Sequence, residues 1–365
     1  MSLKRIWRFL AVAVLCVAVQ GAAAKTGQLR GDGHFSVEQP SPALVRDNAS
    51  SADGPSNGAS RSAEPAPEAI PPSTLKGGGP SVPDFLHLAL YQRIVVLSDL
   101  HVSRHNWAAE EAILQDVNSW KDVGLVAVTG DVCRRFGTAA ELSLARQLLA
   151  TLKKPLAVVA GNHDYIYSDW PDSAGNKVKA SEQERAAKLG RFSAALAPGG
   201  LYYARRMGRY LLVFLSTDDL TSRHLTQISK AQLSWFRGIL AGNKKSPTIV
   251  FFHGPLLGTL ANYNSEVNTG GFVAQPADEI KDIILNNKQI VLWVSGHTHT
   301  SAANPSFNSK INLYQGQVTD IHNSALGGGA EWTNSIFLTE KMVVVATYDH
   351  KMGRWLRGLR YFLVP

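Results

Sequence analysis

The segment VSGHTHTS, residues 294–301, ends an apolar run with two histidines, His297 and His299, separated by one threonine. Neutral imidazole is the commonest metal-ligating side chain, and two rings leaving one turn can serve one metal cluster if other parts of the chain bring further donors. Four other apolar runs end in such groups. RIVVLSD leads into Asp99-Leu100-His101, LVAVTGD ends on Asp131, PLAVVAGNHD ends on Asn162-His163-Asp164, and PTIVFFHG ends on His253. The donors are aspartate, asparagine and histidine with no thiolate, a set that suits two divalent ions such as Mn, Fe or Zn and differs from structural zinc sites built on cysteine. If Asp131 bridges such ions, a pair ~3.5–4 Å apart would grip the entering and the leaving oxygen of a phosphoryl transfer, and water acidified by them would serve as nucleophile. No serine or cysteine nucleophile is then required.

The five groups can meet only if the runs that carry them are neighbouring strands. Between the runs lie helical patterns: NWAAEEAILQDVNSW, with Asn106 placed to cap it, TAAELSLARQLLATL, SKAQLSWFRGIL, with Ser229 and Gln232 spaced as a capping box, and PADEIKDIILNN. Strand–helix–strand units in succession predict a parallel sheet, whose carboxyl-end crevice is where ligands bind in open α/β folds. YLLVFLS supplies another strand, and INLYQ, SIFLT and MVVVATYD in the last third are expected to complete a second sheet. The expected class is α/β, two packed mixed sheets flanked by helices.

The chain has 365 residues, 45% of them hydrophobic, enough for one large α/β domain and too apolar for a disordered protein. Its first 24 residues have a basic start (Lys4, Arg5, Arg8), an apolar core from about Phe9 to Val19 and Ala22-Ala23-Ala24 before Lys25, which reads as a secretory signal peptide. The apolar core is shorter than the ~20 residues a spanning helix needs, so no stable membrane span is expected. Removing the three basic residues of this segment brings the net charge from +8 to +5. Without a basic cluster interleaved with aromatics, nucleic acid is not the expected partner, although the mild basic balance favours anionic substrates. Residues 25–90 are rich in Ser, Pro, Gly and Ala and lack an apolar period, so they are expected to form a disordered tether, with the ordered domain over 91–365. Of the two cysteines, Cys16 lies in the leader and Cys133 would remain alone in an exported chain, with no intrachain disulfide.

In order, SDLHVS, TGDVCRR, AGNHDY, FFHGPL and SGHTHT resemble the DxH, GD, GNH(D/E), H and GHxH pattern of the calcineurin-like metallophosphoesterases. The resemblance spans roughly Ile94 to Thr300 and implies a four-layer sandwich in which Asp99, His101 and His299 hold one metal, Asn162, His253 and His297 hold the other, and Asp131 lies between them. It further implies that His163 meets the scissile phosphate and can protonate the leaving group, with Asp164 holding its ring. The protein Ser/Thr phosphatase branch carries a phosphate-binding arginine four residues beyond the aspartate, where this chain has Arg135. Arg134 and Arg135 are therefore candidate substrate contacts, although Gly137 stands one position later than in that branch. Purple acid phosphatases have a tyrosine ligand where Arg134 stands, which argues against that branch. His105, four residues after His101, reads as a solvated loop residue. The expected activity is hydrolysis of a phosphate mono- or diester by an exported enzyme. The alternatives are a cyclic-nucleotide-type phosphodiesterase and a binding protein that kept the fold without the chemistry.

Overall fold

A computed structural model describes residues 68–70, 90–328, 331–358 and 360–364, all within the compact unit Ala63–Pro365. The leader and most of the 25–90 segment lie outside the described residues. Fourteen strands and five α-helices follow one another among the described residues: β1 (Glu68–Ile70), β2 (Gln92–Leu97), α1 (Trp107–Ser119), β3 (Val123–Val128), α2 (Ala139–Leu149), β4 (Leu156–Val158), α3 (Glu182–Leu196), β5 (Tyr203–Met207), β6 (Tyr210–Phe214), α4 (Lys230–Ala241), β7 (Thr248–Phe251), α5 (Ala277–Leu285), β8 (Ile290–Ser295), β9 (Leu313–Tyr314), β10 (Val318–His322), β11 (Trp332–Leu338), β12 (Met342–Asp349), β13 (Arg354–Trp355) and β14 (Arg360–Leu363). One sheet runs β1-β5-β6-β7-β8-β10-β9; the other runs β13-β12-β11-β2-β3-β4, with β14 added beside β12. Each contains a parallel block, β2-β3-β4 in one and β6-β7-β8-β10 in the other.

The parallel strands read as continuous apolar runs because both of their faces are covered. Ile94, Val96, Leu125 and Ala127 point between the sheets and meet Leu212, Phe214, Ile249, Phe251, Leu292 and Val294. Their alternating neighbours Val95, Leu97, Val126 and Val128 point outward under α1, α2 and α3, while Leu211, Val213 and Val250 pack under α4 and α5. The result is helix, sheet, sheet, helix, the four layers expected.

Four local expectations are amended. INLYQ contributes β9 to the sheet of β8 and β10, whereas SIFLT and MVVVATYD, as β11 and β12, extend the sheet that begins with β2. Glu68–Ile70, inside the segment read as a tether, pairs in parallel with β5. An edge strand can recruit such a segment through backbone groups alone, so no side-chain period announces it. Asn106 stands at the N-cap of α1 without capping it: its Oδ1 accepts from the N–H and hydroxyl of Ser103, and its Nδ2 donates to Leu100 O, His101 O and Glu110 Oε1. The carboxamide thus holds the loop that carries His101. Ser229 accepts from the Gln232 N–H as expected, but the Gln232 side chain turns away to the Ser216 backbone, and Asp218 accepts from the Ser229 N–H in its place.

Glu110 lies beneath the same loop. It is 1% exposed, its Oε2 has no partner among the described residues, and burial pushes its carboxyl up to about 8 from the ordinary 4.5. A carboxyl raised in the fold favours the protonated form, so its contribution is complete below about pH 4.5 and is lost as pH rises toward 8. Chemical unfolding at pH 5 and pH 8 should show the wild type losing up to about 1.4 kcal/mol per pH unit relative to Glu110→Gln, the weight of one proton. Parallel pH profiles of the two proteins would contradict this.

Candidate two-metal site

All five chemical groups sit just past the carboxyl ends of parallel strands. Asp99 and His101 follow β2, Asp131 follows β3, Asn162 and His163 follow β4, His253 follows β7, and His297 and His299 follow β8. Asp99, His101, Asp131, His297 and His299 all have positive φ, between 46° and 63°. Asp and His tolerate this left-handed region better than most residues, yet it is seldom occupied and clusters at functional sites. A backbone that turns left-handed at a strand end swings the side chain back over the sheet edge.

The glycines of the motifs allow this convergence. A methyl group on Gly161 would overlap Asp131, and one on Gly296 would overlap Ser98 Oγ and the Asp99 carboxylate. Neither residue can carry a side chain while those carboxylates stay in place.

Asp131, 1% exposed, has its two oxygens in different roles. Oδ1 accepts from the His163 N–H at 2.7 Å. Oδ2 lies 3.2 Å from His253 Nε2 and 3.9 Å from His101 Nε2, between two groups of donors. On one side, His299 Nε2 is 3.2 Å from both Asp99 Oδ1 and His101 Nε2. On the other, His253 Nε2 is 3.0 Å from Asn162 Oδ1 and 3.1 Å from His297 Nδ1. Three groups of donors thus come within reach of one another, Asp99 with His101 and His299, His101 with Asp131 and His163, and Asp131 with His253 and His297, and Asn162 Oδ1 adjoins the last.

Second partners fix the protonation of two rings. His253 Nδ1 faces Thr129 O at 2.8 Å, and His101 Nδ1 faces Cys133 O and Arg134 O at 3.3 and 3.2 Å. A carbonyl only accepts, so Nδ1 carries the hydrogen in both rings and a neutral ring turns a bare Nε2 to the cluster. Bare nitrogens, carboxylate oxygens and an amide oxygen then converge without hydrogens to share, which is the donor chemistry of a cation site. In the charged form of His253, Nε2 instead donates to Asp131 Oδ2, a proton held where a cation would bind. Burial opposes a charge on His253, but Asp131 and Asp99 outweigh it and push the ring up to about 9; burial likewise opposes charge on Asp131, yet His253 and His163 hold it well below the usual carboxylate range. His297 stacks on Phe272 and presents Nδ1 to the cluster, and burial, with His253, pushes it down to about 3.

Two expected roles change. Asp164 does not hold the ring of His163; its carboxylate accepts from the N–H groups of Asp131, Gly161 and Cys133 at 3.0, 2.8 and 2.9 Å. It fixes the backbone that aims Asp131, because the tight 3₁₀ turn Asn162–Asp164 folds it under that loop. The ring of His163 is held instead by the carbonyl of Arg135, 3.0 Å from Nδ1. The side chains of Arg134 and Arg135 are exposed and do not line the cavity beside the cluster, and Arg135 donates to Gly175 O. The two residues act through their carbonyls, which hold the rings of His101 and His163. His105 is exposed and also outside the cavity.

That cavity, about 370 Å³, is bounded by Asp131, Asn162, His163, His297 and His299, together with Tyr167, Lys177, Leu225, Glu266, Val267 and Phe272. Lys177 is the cation that sequence reasoning missed. It comes from a loop with no periodic pattern, and only its spacing from AGNHDY could have drawn notice.

Residues 92–301, more than half of the chain, match the family model described as calcineurin-like phosphoesterase. Among curated proteins no sequence matches. The fold is similar to a dimetal phosphatase from Danio rerio, at 12% identity and a TM-score of 0.51 over 75% of this chain and 99% of that one. It is also similar to the purple acid phosphatase PPD1 from yellow lupin seeds, at 16% identity and a TM-score of 0.50 over 75% of this chain and 54% of that one. By this match over its motif-bearing residues, the chain belongs to the calcineurin-like phosphoesterase family and is a phosphoester hydrolase.

Proposed function

We propose that the protein is an exported hydrolase of phosphate mono- or diesters that works with two divalent cations, one held by Asp99, His101 and His299, the other by Asn162, His253 and His297, with Asp131 between. The observation that carries this reading is Asp131 Oδ2, placed between two histidine groups while Oδ1 is occupied by the His163 N–H. Two such cations supply Lewis acidity toward the phosphoryl oxygens and water acidified toward neutrality.

The chain's own residues do the rest. His163 has Nδ1–H committed to Arg135 O, so Nε2 is the atom directed to the cavity, where a leaving oxygen would take its proton. Burial pushes this ring down to about 4, and a bound phosphate anion would restore its affinity for a proton. The buried Asp99 carboxylate accepts from the Ser98 hydroxyl and the His297 N–H, which keeps one oxygen turned to His299.

Export rests on residues 1–24, whose basic start, apolar core and small residues before Lys25 match a cleaved leader. None of the described helices is long and apolar enough to cross a membrane. An exported enzyme would meet periplasmic or extracellular esters such as nucleotides, sugar phosphates, lipid head groups or wall polymers.

Purified protein with Mn²⁺ should hydrolyse chromogenic phosphate esters, and His163→Ala should keep its metal content while losing roughly 10²–10⁴ in turnover. The loss should be smaller for a nitrophenolate than for an alkoxide, which cannot leave without a proton, whereas Asn162→Ala should lose metal. Zero turnover of wild-type protein with metals bound would contradict the enzyme reading, and equal losses for good and poor leaving groups would remove His163 as proton donor. Mass spectrometry of the exported form should find an N-terminus at or near Lys25; an intact Met1 species in membranes would contradict a cleaved leader.

A further inference from the structure

Residues 166–180 form an arm beside the cavity. The Ser168 N–H donates to Val178 O and the Ala180 N–H to Ile166 O, both at 2.8 Å, with Tyr167 and Lys179 bridged between them. Asp172 closes the tip by accepting from the N–H groups of Ala174 and Asn176. Two fixed contacts orient the arm. At its root, buried Lys188 donates to Tyr167 O at 2.6 Å and to Phe136 O at 2.7 Å; at its tip, Arg135 donates to Gly175 O at 2.9 Å. The loop after Asp131 is thus tied to the arm at both ends, directly through Arg135 at the tip and by way of Lys188 of α3 at the root.

This scaffold delivers Lys177 to the cavity. Its Nζ lies 3.1 Å from His163 Nε2 and 4.9 Å from the centre of the Tyr167 ring. Since His163 Nδ1–H is spent on Arg135 O, Nε2 is the acceptor and the ammonium the donor, with further N–H groups to give. Among the described residues its contacts are a ring nitrogen and a ring face, and the buried Asp131 carboxylate acts on it from further off. A phosphoryl group in transfer has three equatorial oxygens carrying its charge. The carboxylates and imidazoles of the cluster can hold cations toward part of that triangle, and the further N–H groups of Lys177 are donors for the remaining oxygen. In a monoester that oxygen is anionic and matches an ammonium; in a diester it bears a carbon group.

We propose that Lys177 is the phosphate-binding cation of this site and that the 166–180 arm makes it selective for phosphomonoesters over diesters. The assignment rests on the phosphohydrolase reading and names its substrate class. It also gives Arg135 its place, as the residue that positions the arm and not as a ligand of the phosphate.

Lys177→Met removes the charge from an exposed residue, and Lys177→Arg restores a cation. Calorimetry of inorganic phosphate on the Mn²⁺-loaded protein should show affinity falling about tenfold or more in Lys177→Met, the weight of one charge-assisted hydrogen bond, and recovering in Lys177→Arg. Metal content should stay unchanged. For nitrophenyl phosphate kcat/KM should fall by a similar factor, mostly through KM, while bis-nitrophenyl phosphate should change by less than about threefold. Unchanged phosphate affinity in Lys177→Met, or equal losses on the two esters, would overturn the proposal. If wild-type protein hydrolyses neither ester, the phosphohydrolase reading fails on its own, and the phosphate affinities still decide whether Lys177 binds the anion.

Discussion

The buried carboxylate of Asp131 is the point from which the rest of the site is set. Its N–H is held by Asp164, its Oδ1 by the His163 N–H, and its Oδ2 is left to face His101 and His253 together. A carboxylate almost wholly removed from water is tolerated only where cations or hydrogen bonds answer it, and here one backbone N–H answers one side while a second buried carboxylate, Asp99, shares the cluster. Two such charges in one dry place repel each other until positive charge enters, which is why His253 is driven toward its charged form against the effect of burial. Divalent cations would replace that proton and satisfy both carboxylates.

Holding Asp131 there places demands on elements far apart in sequence. Two sheets must present their strand ends to one edge, so the core between them, built on alternate residues of β2, β3, β6, β7 and β8, fixes the distance between the two donor sets. Five candidate ligands in left-handed conformations each cost of order 1 kcal/mol, an amount that such a core can sustain. Glycines at 161 and 296 clear the space in which the carboxylates sit. The same loop that bears Asp131 then reaches the substrate side, since the carbonyl of Arg135 orients His163 and its side chain pins the arm that carries Lys177.

The candidate donors were legible because each lies within a few residues of the end of a strand that both faces bury, so a continuous apolar run leads to it. The layers were legible for the same reason. Less was legible wherever a role depends on backbone groups or on distant pairing. Asp164 adjoins His163, but what it binds are N–H groups on the loop after β3. Arg135 sits where a phosphate contact was expected, yet its guanidinium finds a carbonyl on the arm. INLYQ yields a two-residue strand whose sheet is decided by β10, and Lys177 lies in an aperiodic loop that no pattern ties to the cavity.

Asp131 Oδ2 would be shared by two cations. Crystals grown with Mn²⁺ and measured at the manganese absorption edge test it most directly. Two anomalous peaks ~3.5–4 Å apart, both within bonding distance of Asp131 Oδ2, are expected. One peak alone, or two peaks of which only one touches Asp131, would contradict the account.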